Sequence, residues 1–366
     1  MALRSTLFAI VMKKSALDYI VCPTTLDGLN LEIFEADGEE VMEGLLVTSD
    51  GAHAYPVING VPRMLLPELR EHLESDYPEY FAKHRNSLQK RGIITSDVGK
   101  VQRHTQEAFG YEWTWAADYD ANNFDDWLPE GFNAKDLFSD KVGLEVGCGA
   151  GRHAERNSNF SKTHIAVDLS IAVDSAFERN RGKSNCHVVQ ADAFHLPFRP
   201  NLFDYVYCLG VIQHMHNPPE GFKGLADKVR KGGILLVNVY QAGRPLTVGA
   251  LALVRKISIR LSNSQLRVIS ELAGMFEYGI FIFPWKVLKN TFLGKLLRPI
   301  VPTRIDEYAK HSMRTAVVDW FDRLSCPVKI HYTKEQLAGW YTSNGFKEVL
   351  VTPYWKAFWN GYGVKS

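Results

Sequence analysis

The segment from Lys141 to His153, KVGLEVGCGAGRH, constrains the fold more than any other part of the chain. It begins with a short apolar run, residues 142–146, which has the length of a buried strand. Glycines follow at positions 147, 149 and 151, where a chain leaving a strand turns tightly and exposes its backbone to a ligand. A helix that begins here would direct its N-terminal N–H groups, with their partial positive charge, at that ligand.

The glycine spacing indicates which kind of ligand this turn accepts. A dinucleotide-binding turn has the pattern G-x-G-x-x-G, whereas here the third glycine comes one residue early and Arg152 takes the dinucleotide position. Glu145 places a carboxylate at the end of the strand, which attracts a cationic amino-acid group and repels a pyrophosphate. The pattern resembles motif I of the class I S-adenosylmethionine (SAM)-dependent methyltransferases, [DE]-x-G-x-G-x-G.

Composition and charge are those of a large soluble globular protein. The chain has 366 residues, enough for two units, with 46% hydrophobic and 23% charged residues. A formal net charge of +1 gives no bulk attraction to nucleic acid or membranes. Because the five cysteines have neither zinc-ribbon nor redox spacing, we expect a reducing, cytoplasmic location. We see no apolar run long enough to span a bilayer.

Residues 1–67 predict a small β-rich domain, with turns at Ser49-Asp50-Gly51 and Asn59-Gly60. It resembles the zinc-ribbon-like activator domain found beside or fused to many methyltransferases, because Cys22-Pro23 and the segment YPVINGVP at 55–62 match that family's pattern. Three of the four metal positions of the pattern are missing here, and a structural zinc normally needs four ligands. We therefore predict a metal-free domain with a docking or stabilising role.

Residues 68–135 predict a helical connector followed by an aromatic segment, VQRHTQEAFGYEWTWAADYD. Aromatic residues at this density either fill a core seam or cover a ligand. Methyltransferases of this type carry an F-x-x-x-W segment that covers the cofactor. The resemblance implies Tyr111 and Trp115 as cofactor or substrate contacts, and core packing is the alternative for each.

Alternating apolar strands and helices after the glycine turn predict a doubly wound parallel sheet with its ligands at the carboxyl strand ends. The resemblance implies an α/β, Rossmann-like fold with a seven-stranded sheet, formed by residues 136–240 and 328–366. Asp168, about 20 residues past the turn, then accepts from both ribose hydroxyls, while Leu169 lies against the adenine and Asp192 accepts from its amino group. The cofactor residues implied are Tyr111, Trp115, Glu145, Gly147, Cys148, Gly149, Gly151, Arg152, Asp168, Leu169, Asp192, Ala193, Leu209 and Gly210.

Three residues are candidates for acid–base chemistry. His214 ends the segment Gly210-Val211-Ile212-Gln213-His214, where relatives have G-V-L-H-H, and is either a general base or a histidine hydrogen-bonded beside the cofactor. Asp319 and His331 form a second acid–base pair by loose resemblance to relatives. No metal site is predicted, because His214 and His216 have no third ligand at a suitable spacing.

Residues 241–327 form an insertion far longer than an ordinary connection. From Gln241 to Arg304 there are ten basic side chains and two acidic ones, a net charge of +8 in a chain whose total is +1. We expect a basic helical lid that carries the substrate pocket. Basic amphipathic helices commonly pack on a core and leave their charged face in solvent. Alternatively, residues 241–305 contact an anionic or lipid-linked substrate, an oligomer partner or a membrane surface.

The sequence thus predicts a SAM-dependent methyltransferase that transfers a methyl group to an O, N or C nucleophile of a small molecule of the natural-product or glycan type. An RNA or protein methyltransferase is the second hypothesis, although no stacking platform favours RNA, and no DNA partner is expected. A non-catalytic module that keeps the SAM-binding fold is the third. The glycine spacing disfavours a nicotinamide dehydrogenase.

Overall fold

A five-stranded antiparallel sheet forms the N-terminal part of the chain. The computed structural model describes residues 12–37, 40–93, 100–117, 124–243, 245–326, 328–354 and 357–366, so the first eleven residues of the predicted 1–67 domain lie outside it. The sheet has the order β1-β3-β4-β5, with β2 beside β3. Its strands are β1 (Met12–Lys13), β2 (Leu29–Asp37), β3 (Glu40–Thr48), β4 (Ala54–Ile58) and β5 (Val61–Pro62).

Local residue chemistry explains this small sheet. Asn59 and Gly60 both have positive φ, +51° and +73°, and join β4 to β5 in the two-residue turn that this dipeptide favours. Cys22 is buried, with its Sγ 3.2 Å from the Tyr55 hydroxyl, so the cysteine that matches the zinc-ribbon pattern lies in an apolar core. Among the described residues, no three His, Cys, Asp or Glu side chains are grouped as a metal site.

The second sheet has eight strands and forms the α/β part of the chain. Seven of them lie in the order β12-β13-β10-β9-β6-β7-β8. The prediction of seven strands missed the two-residue β11, which pairs in parallel with the end of β10. The strands are β6 (Val142–Val146), β7 (Thr163–Asp168), β8 (Cys186–Gln190), β9 (Phe203–Cys208), β10 (Val229–Gln241), β11 (His331–Tyr332), β12 (Phe346–Tyr354) and β13 (Phe358–Lys365).

The direction of these strands fixes where a ligand can bind. Strands β8, β7, β6, β9 and β10 are parallel, and β13 runs antiparallel between β10 and β12. Parallel strands are buried on both faces, which accounts for their nearly continuous apolar sequences. Their carboxyl ends meet at one edge of the sheet, where α/β proteins bind ligands.

Helices surround this sheet and precede it. The first seven are α1 (Leu73–Asp76), α2 (Pro78–Lys90), α3 (Lys100–Trp115), α4 (Ala134–Phe138), α5 (Arg152–Asn157), α6 (Val173–Asn180) and α7 (Pro218–Lys228).

Most of the described residues of the insertion are helical. They form α8 (Pro245–Ser258), α9 (Asn263–Glu277), α10 (Phe283–Leu288), α11 (Phe292–Leu297), α12 (Thr303–Tyr308) and α13 (Met313–Ser325), and Arg244 lies outside the described residues. Helix α13 is the most buried of the six, and α9 crosses it at Gly274, where an added Cβ would lie 2.7 Å from the Val317 Cα. The last helix, α14 (Lys334–Ser343), is capped by Thr333, whose side chain accepts from the Gln336 N–H.

The N-terminal sheet covers the open edge of the second sheet at β8. The Met64 N–H donates to the Gln190 carbonyl at 2.8 Å, and Arg63 forms a parallel bridge with Gln190. The Arg63 side chain is fully buried and donates to Gln190 Oε1, the Ile58 carbonyl and Asp174 Oδ1. An uncovered edge strand invites pairing with other chains, and this contact removes that edge. Across the described residues, no helix has both the length and the apolar composition needed to cross a bilayer.

Candidate functional site

A cavity of about 880 Å³ lies at the carboxyl ends of β6, β7, β8 and β9. Most of the predicted site residues line it: Glu145, Gly147, Cys148, Gly149, Arg152, Asp168, Leu169, Asp192, Ala193, Leu209, Gly210, His214, Asp319 and His331. Tyr111, Trp115 and Gly151 are described, but they are not among the lining residues.

The glycine turn brings backbone, rather than side chains, to the cavity. Gly147 has a φ of +85°, and a Cβ there would lie 2.3 Å from Val211 Cγ2. A Cβ on Gly149, whose φ is +51°, would lie 3.0 Å from the Trp113 ring. Gly151 has a different role, because its missing Cβ would lie 2.8 Å from the Ala176 Cα, so this glycine lets α5 pack closely on α6.

Asp168 connects the end of β7 to the glycine turn. Its Oδ2 accepts from the Gly149 N–H at 2.9 Å, and its Oδ1 accepts from the Ser170 N–H and hydroxyl at 2.9 and 2.8 Å. Burial raises the pKa of Asp168 above its ordinary value, although these hydrogen bonds oppose that change. The carboxylate therefore has a fixed orientation at the rim of the cavity.

Glu145 is buried at the base of the cavity, next to two histidines. Its Oε2 lies 3.3 Å from His164 Nε2, and its Oε1 lies 3.9 Å from His153 Nδ1. Burial lowers the pKa of His153 well below its ordinary value, so this ring is neutral at pH 7. Its Nε2 is buried and has no hydrogen-bond partner in the structure. Glu145 can therefore accept a cationic group without competition from a charged His153.

The adenine side of the predicted site lies at the ends of β7 and β8. Asp192 is buried, with its Oδ2 3.0 Å from His195 Nδ1. The Leu169 carbonyl accepts from Gln190 at 2.9 Å and from Gln106 at 3.2 Å, which joins this turn to β8 and α3.

Helix α3 presents a different pair of aromatic residues to the cavity from the pair predicted. Phe109 and Trp113 line it, whereas Tyr111 and Trp115 pack against Phe321 of α13, at ring-centroid distances of 5.8 and 5.7 Å. Residues four apart share one helix face, and a shift of two residues moves to the opposite side. The sequence contained the signal, since Phe109 and Trp113 themselves have the F-x-x-x-W spacing.

A second part of the cavity surrounds His214. Its Nδ1 lies 2.8 Å from both the Val328 carbonyl oxygen and Cys326 Sγ. Because the carbonyl oxygen only accepts, we assign the proton to Nδ1 and the lone pair to Nε2. Burial lowers the pKa of His214 to about 4. The ring is therefore neutral at pH 7 and can take up a proton at Nε2.

Sequence reasoning missed two buried polar residues that line the cavity beside His214. Glu112 is 2% exposed, and its Oε2 has no hydrogen-bond partner. Burial raises the pKa of Glu112 well above its ordinary value, which favours the protonated carboxyl group, the form that can donate a hydrogen bond. Gln213 is fully buried, and both polar atoms of its amide lack partners. Buried polar atoms without partners are rare in folded proteins, so these two side chains are suited to hydrogen-bond a ligand.

The same part of the cavity also contains charged side chains that form ion pairs. Lys329 Nζ lies 2.6 Å from Asp322 Oδ2, which also accepts from the Tyr240 hydroxyl at 3.2 Å. His331 lies against Tyr240 with its ring centroid 5.4 Å away. No sequence spacing indicated this group, because α13 and the segment before β11 bring it together.

Asp319 is held by two guanidinium groups. Its Oδ2 lies 2.9 Å from Arg304 and 2.5 Å from Arg323. Burial alone would raise the pKa of Asp319, but the charges of Arg323 and Arg304 bring it below its ordinary value. A carboxylate stabilised in this way is a weaker base than an ordinary one, so Asp319 is poorly suited to accept a proton.

Comparison with known proteins identifies the central segment. A family model described as a methyltransferase domain matches residues 144–237. The mitochondrial ubiquinone biosynthesis O-methyltransferase of Schizosaccharomyces pombe is 25% identical over 156 residues, which are 42% of this chain and 54% of that protein. A tRNA U34 carboxymethyltransferase of Campylobacter curvus is 34% identical over 100 residues, 26% of this chain and 34% of that protein.

A solved structure of a SAM-dependent methyltransferase from Aquifex aeolicus aligns over 69% of this chain and 98% of its own, at 11% identity and a TM-score of 0.39. The matches to these curated relatives span about half of their length or less. Residues 144–237 are a methyltransferase domain, which confirms the predicted enzyme class and SAM as the cofactor for this segment.

Proposed function

We propose that the whole chain is a SAM-dependent methyltransferase whose acceptor is a small molecule with a neutral nucleophile, bound beside His214. The observation that carries this proposal is the single cavity that joins the strand ends to a chamber of buried, neutral polar groups. A hydroxyl of a phenol or sugar has the chemistry that these groups would recognise.

The residues at the strand ends fit the cofactor. Glu145 would accept from the amino group of its methionine part, Asp168 from the ribose hydroxyls and Asp192 from the adenine amino group, with Leu169 against the adenine. A Cβ at Gly147 would collide with Val211 and one at Gly149 would press against Trp113, so the glycines let the backbone of the turn border the cavity. When bound, SAM supplies a methyl group on a sulfonium, which is already electrophilic.

The chain itself would align the acceptor and remove its proton. Glu112 can donate to an acceptor oxygen, and the Gln213 amide can both donate and accept, so together they hold the nucleophile in one orientation. His214 Nε2 takes the hydroxyl proton as the nucleophile attacks. Phe109 and Trp113 cover the cavity from α3 and exclude water.

The rest of the acceptor would extend toward α8. Leu251, Val254 and Arg255 of this helix also line the cavity. A glycan-type or natural-product acceptor with an apolar or anionic part fits these side chains. Arg304, Arg323 and Lys329 are each paired with carboxylates deeper in the chamber, which favours a neutral group at the reacting end.

Calorimetry with S-adenosylhomocysteine tests the cofactor site. We expect Asp168→Asn to weaken binding roughly ten- to hundredfold, because a hydrogen bond to a charged group contributes about 1.5–3 kcal/mol. Asp227→Asn, at an exposed carboxylate of the same domain, should bind as the wild type does. Failure of the wild type to bind S-adenosylhomocysteine would favour a non-catalytic module that has lost the site.

Transfer from methyl-labelled SAM tests the acceptor class. Incubation with a panel of phenolic and glycosidic hydroxyl compounds should give labelled product by mass spectrometry. His214→Gln should lose turnover while it keeps S-adenosylhomocysteine affinity, and His53→Gln should retain both. Label found only in added tRNA would contradict a small-molecule acceptor, in favour of the RNA hypothesis.

A further inference from the structure

The insertion carries most of the exposed apolar surface of the described chain. Twenty large apolar side chains are exposed in the described chain, and sixteen of them lie between residues 253 and 300. The other four, Leu26, Ile33, Met313 and Leu350, are scattered. Single exposed apolar residues are normal on a protein surface, whereas a concentration of this kind marks an interaction site.

Helix α9 shows that these residues are not part of an internal core. Its buried residues, Leu266, Ser270 and Gly274, recur every four positions and face α13. The opposite side of the helix is also apolar. It carries Val268, Ile269, Leu272, Met275 and Phe276, all exposed. A surface helix ordinarily has polar residues on its outer side, so the outer side of α9 is built for a non-aqueous contact.

The neighbouring helices continue this pattern. Ile257 of α8 is 70% exposed, Phe292 at the start of α11 is 86% exposed, and Ile300 after α11 is 76% exposed. Between α9 and α11 the exposed apolar residues are Ile280, Phe281, Phe283 and Val287. We call the exposed residues of segment 253–300 the docking face.

Unpaired cations accompany the docking face. Lys256 precedes Ile257, and Lys295 precedes Leu296, so charge and apolar surface alternate along the helices. Within the described part of the chain, no carboxylate lies within 4 Å of the five cations Lys256, Arg260, Lys286, Lys289 and Lys295. These cations favour an anionic partner.

We propose that the docking face binds the surface of an anionic lipid bilayer. Phe, Leu and Ile side chains would enter the boundary between headgroups and acyl chains, and the lysines would contact anionic headgroups, as in amphipathic helices that lie in the plane of a membrane. Charge argues against a second copy of the chain as the occupant, because a symmetric contact would bring the same cations together. The aliphatic majority of the face argues against nucleic acid, which is bound by cationic grooves and aromatic stacking.

The docking face and the cavity share helix α8. Val254 is 48% exposed and also lines the cavity, beside Leu251 and Arg255. A bilayer on the docking face would therefore lie next to the cavity. An amphiphilic acceptor could place its apolar part in the bilayer and its polar part near His214. The placement of an acceptor near His214 rests on the proposed function, whereas the binding of the docking face to a membrane does not.

Co-sedimentation of the full chain with phosphatidylcholine vesicles, with and without added phosphatidylglycerol, tests the docking. We expect binding that needs phosphatidylglycerol and weakens as salt rises. The triple variant Lys286→Gln, Lys289→Gln, Lys295→Gln should bind at least tenfold more weakly, since each cation near an anionic surface contributes roughly fivefold. The double variant Phe292→Ser, Ile300→Ser should also lose binding.

Matched controls replace exposed residues elsewhere in the chain. Lys90→Gln, Lys231→Gln, Lys347→Gln removes the same charge, and Ile33→Ser, Leu350→Ser removes apolar surface, and both should bind as the wild type does. Equal loss in controls and docking-face variants, or no binding to anionic vesicles, would overturn the proposal. So would a dimer in light scattering that the Phe292→Ser, Ile300→Ser variant dissociates. S-adenosylhomocysteine affinity, measured on every variant, separates these outcomes from failure of the proposed function.

Discussion

At the scale of single residues, His214 connects burial to chemistry. Its Nδ1 is committed to the Val328 carbonyl, and burial lowers its pKa to about 4. A histidine in the unfolded chain has an ordinary pKa of about 6.5. The imidazole is therefore uncharged in the folded protein throughout the neutral pH range, with its lone pair at Nε2.

This pKa predicts a pH dependence of stability. Between pH about 6.5 and about 4 the unfolded chain binds a proton at His214 that the folded chain does not, so the free energy of unfolding decreases as the pH falls through this window. In His214→Gln the free energy of unfolding should decrease less between pH 7 and pH 5 than in the wild type, because one proton-binding group is removed. Urea unfolding at the two pH values measures this difference. His53→Gln should keep the wild-type dependence. An unchanged pH dependence in His214→Gln would show that His214 has the same pKa in the folded and the unfolded chain.

At the scale of elements, α9 and α13 form the centre of the insertion. Gly274 allows their backbones to approach, because a Cβ there would lie 2.6 Å from Val317 Cγ2 and 2.7 Å from its Cα. The same helix α13 carries Phe321, which packs on Tyr111 and Trp115 of α3. The crossing at Gly274 thus supports the helix that supplies Asp319 and Asp322 to the cavity.

We expect Gly274→Ala to lower the free energy of unfolding by about 1–3 kcal/mol, as overpacking of a tight contact does. Gly249, exposed on α8 with no atom near its missing Cβ, is the matched control. Gly249→Ala should be neutral or stabilising by up to about 1 kcal/mol, because alanine favours a helix more than glycine. Urea unfolding followed by circular dichroism measures both. Similar effects of the two substitutions would mean that the helices do not meet at Gly274.

At the scale of the whole molecule, Arg63 joins the N-terminal sheet to the methyltransferase domain. Its guanidinium is fully buried and reaches Asp174 Oδ1 at 2.6 Å and Gln190 Oε1 at 3.2 Å. Gln190 in turn donates to the Leu169 carbonyl, which borders the cavity. A single buried side chain therefore connects the covering sheet to the wall of the cavity.

Arg63→Gln should lower the free energy of unfolding by at least about 2 kcal/mol, because it leaves buried partners of a charged group without a donor. Arg85→Gln, which removes an exposed ion pair with Glu74, should cost less than about 1 kcal/mol. Limited proteolysis should release the N-terminal segment of Arg63→Gln faster than that of the wild type. Equal protease resistance would assign the stability of this interface to its apolar contacts alone.

The sequence by itself determined the features that depend on local chemistry. The strand at 142–146, its glycine turn and the acidic residues at three strand ends follow from apolar runs, backbone freedom and spacing along the chain. Because parallel strands end at one edge, Glu145, Asp168 and Asp192 come together without further information.

Only the tertiary structure decided the chamber around His214 and the eighth strand. Glu112, Gln213, Asp322 and Lys329 come from distant segments and have no common spacing, and β11 is too short to carry a periodic signal. The register of α3 also required packing, since both aromatic pairs share the i, i+4 relation and only contact with Phe321 distinguishes them. Periodicity places side chains on one element, whereas the choice of face depends on what that element packs against.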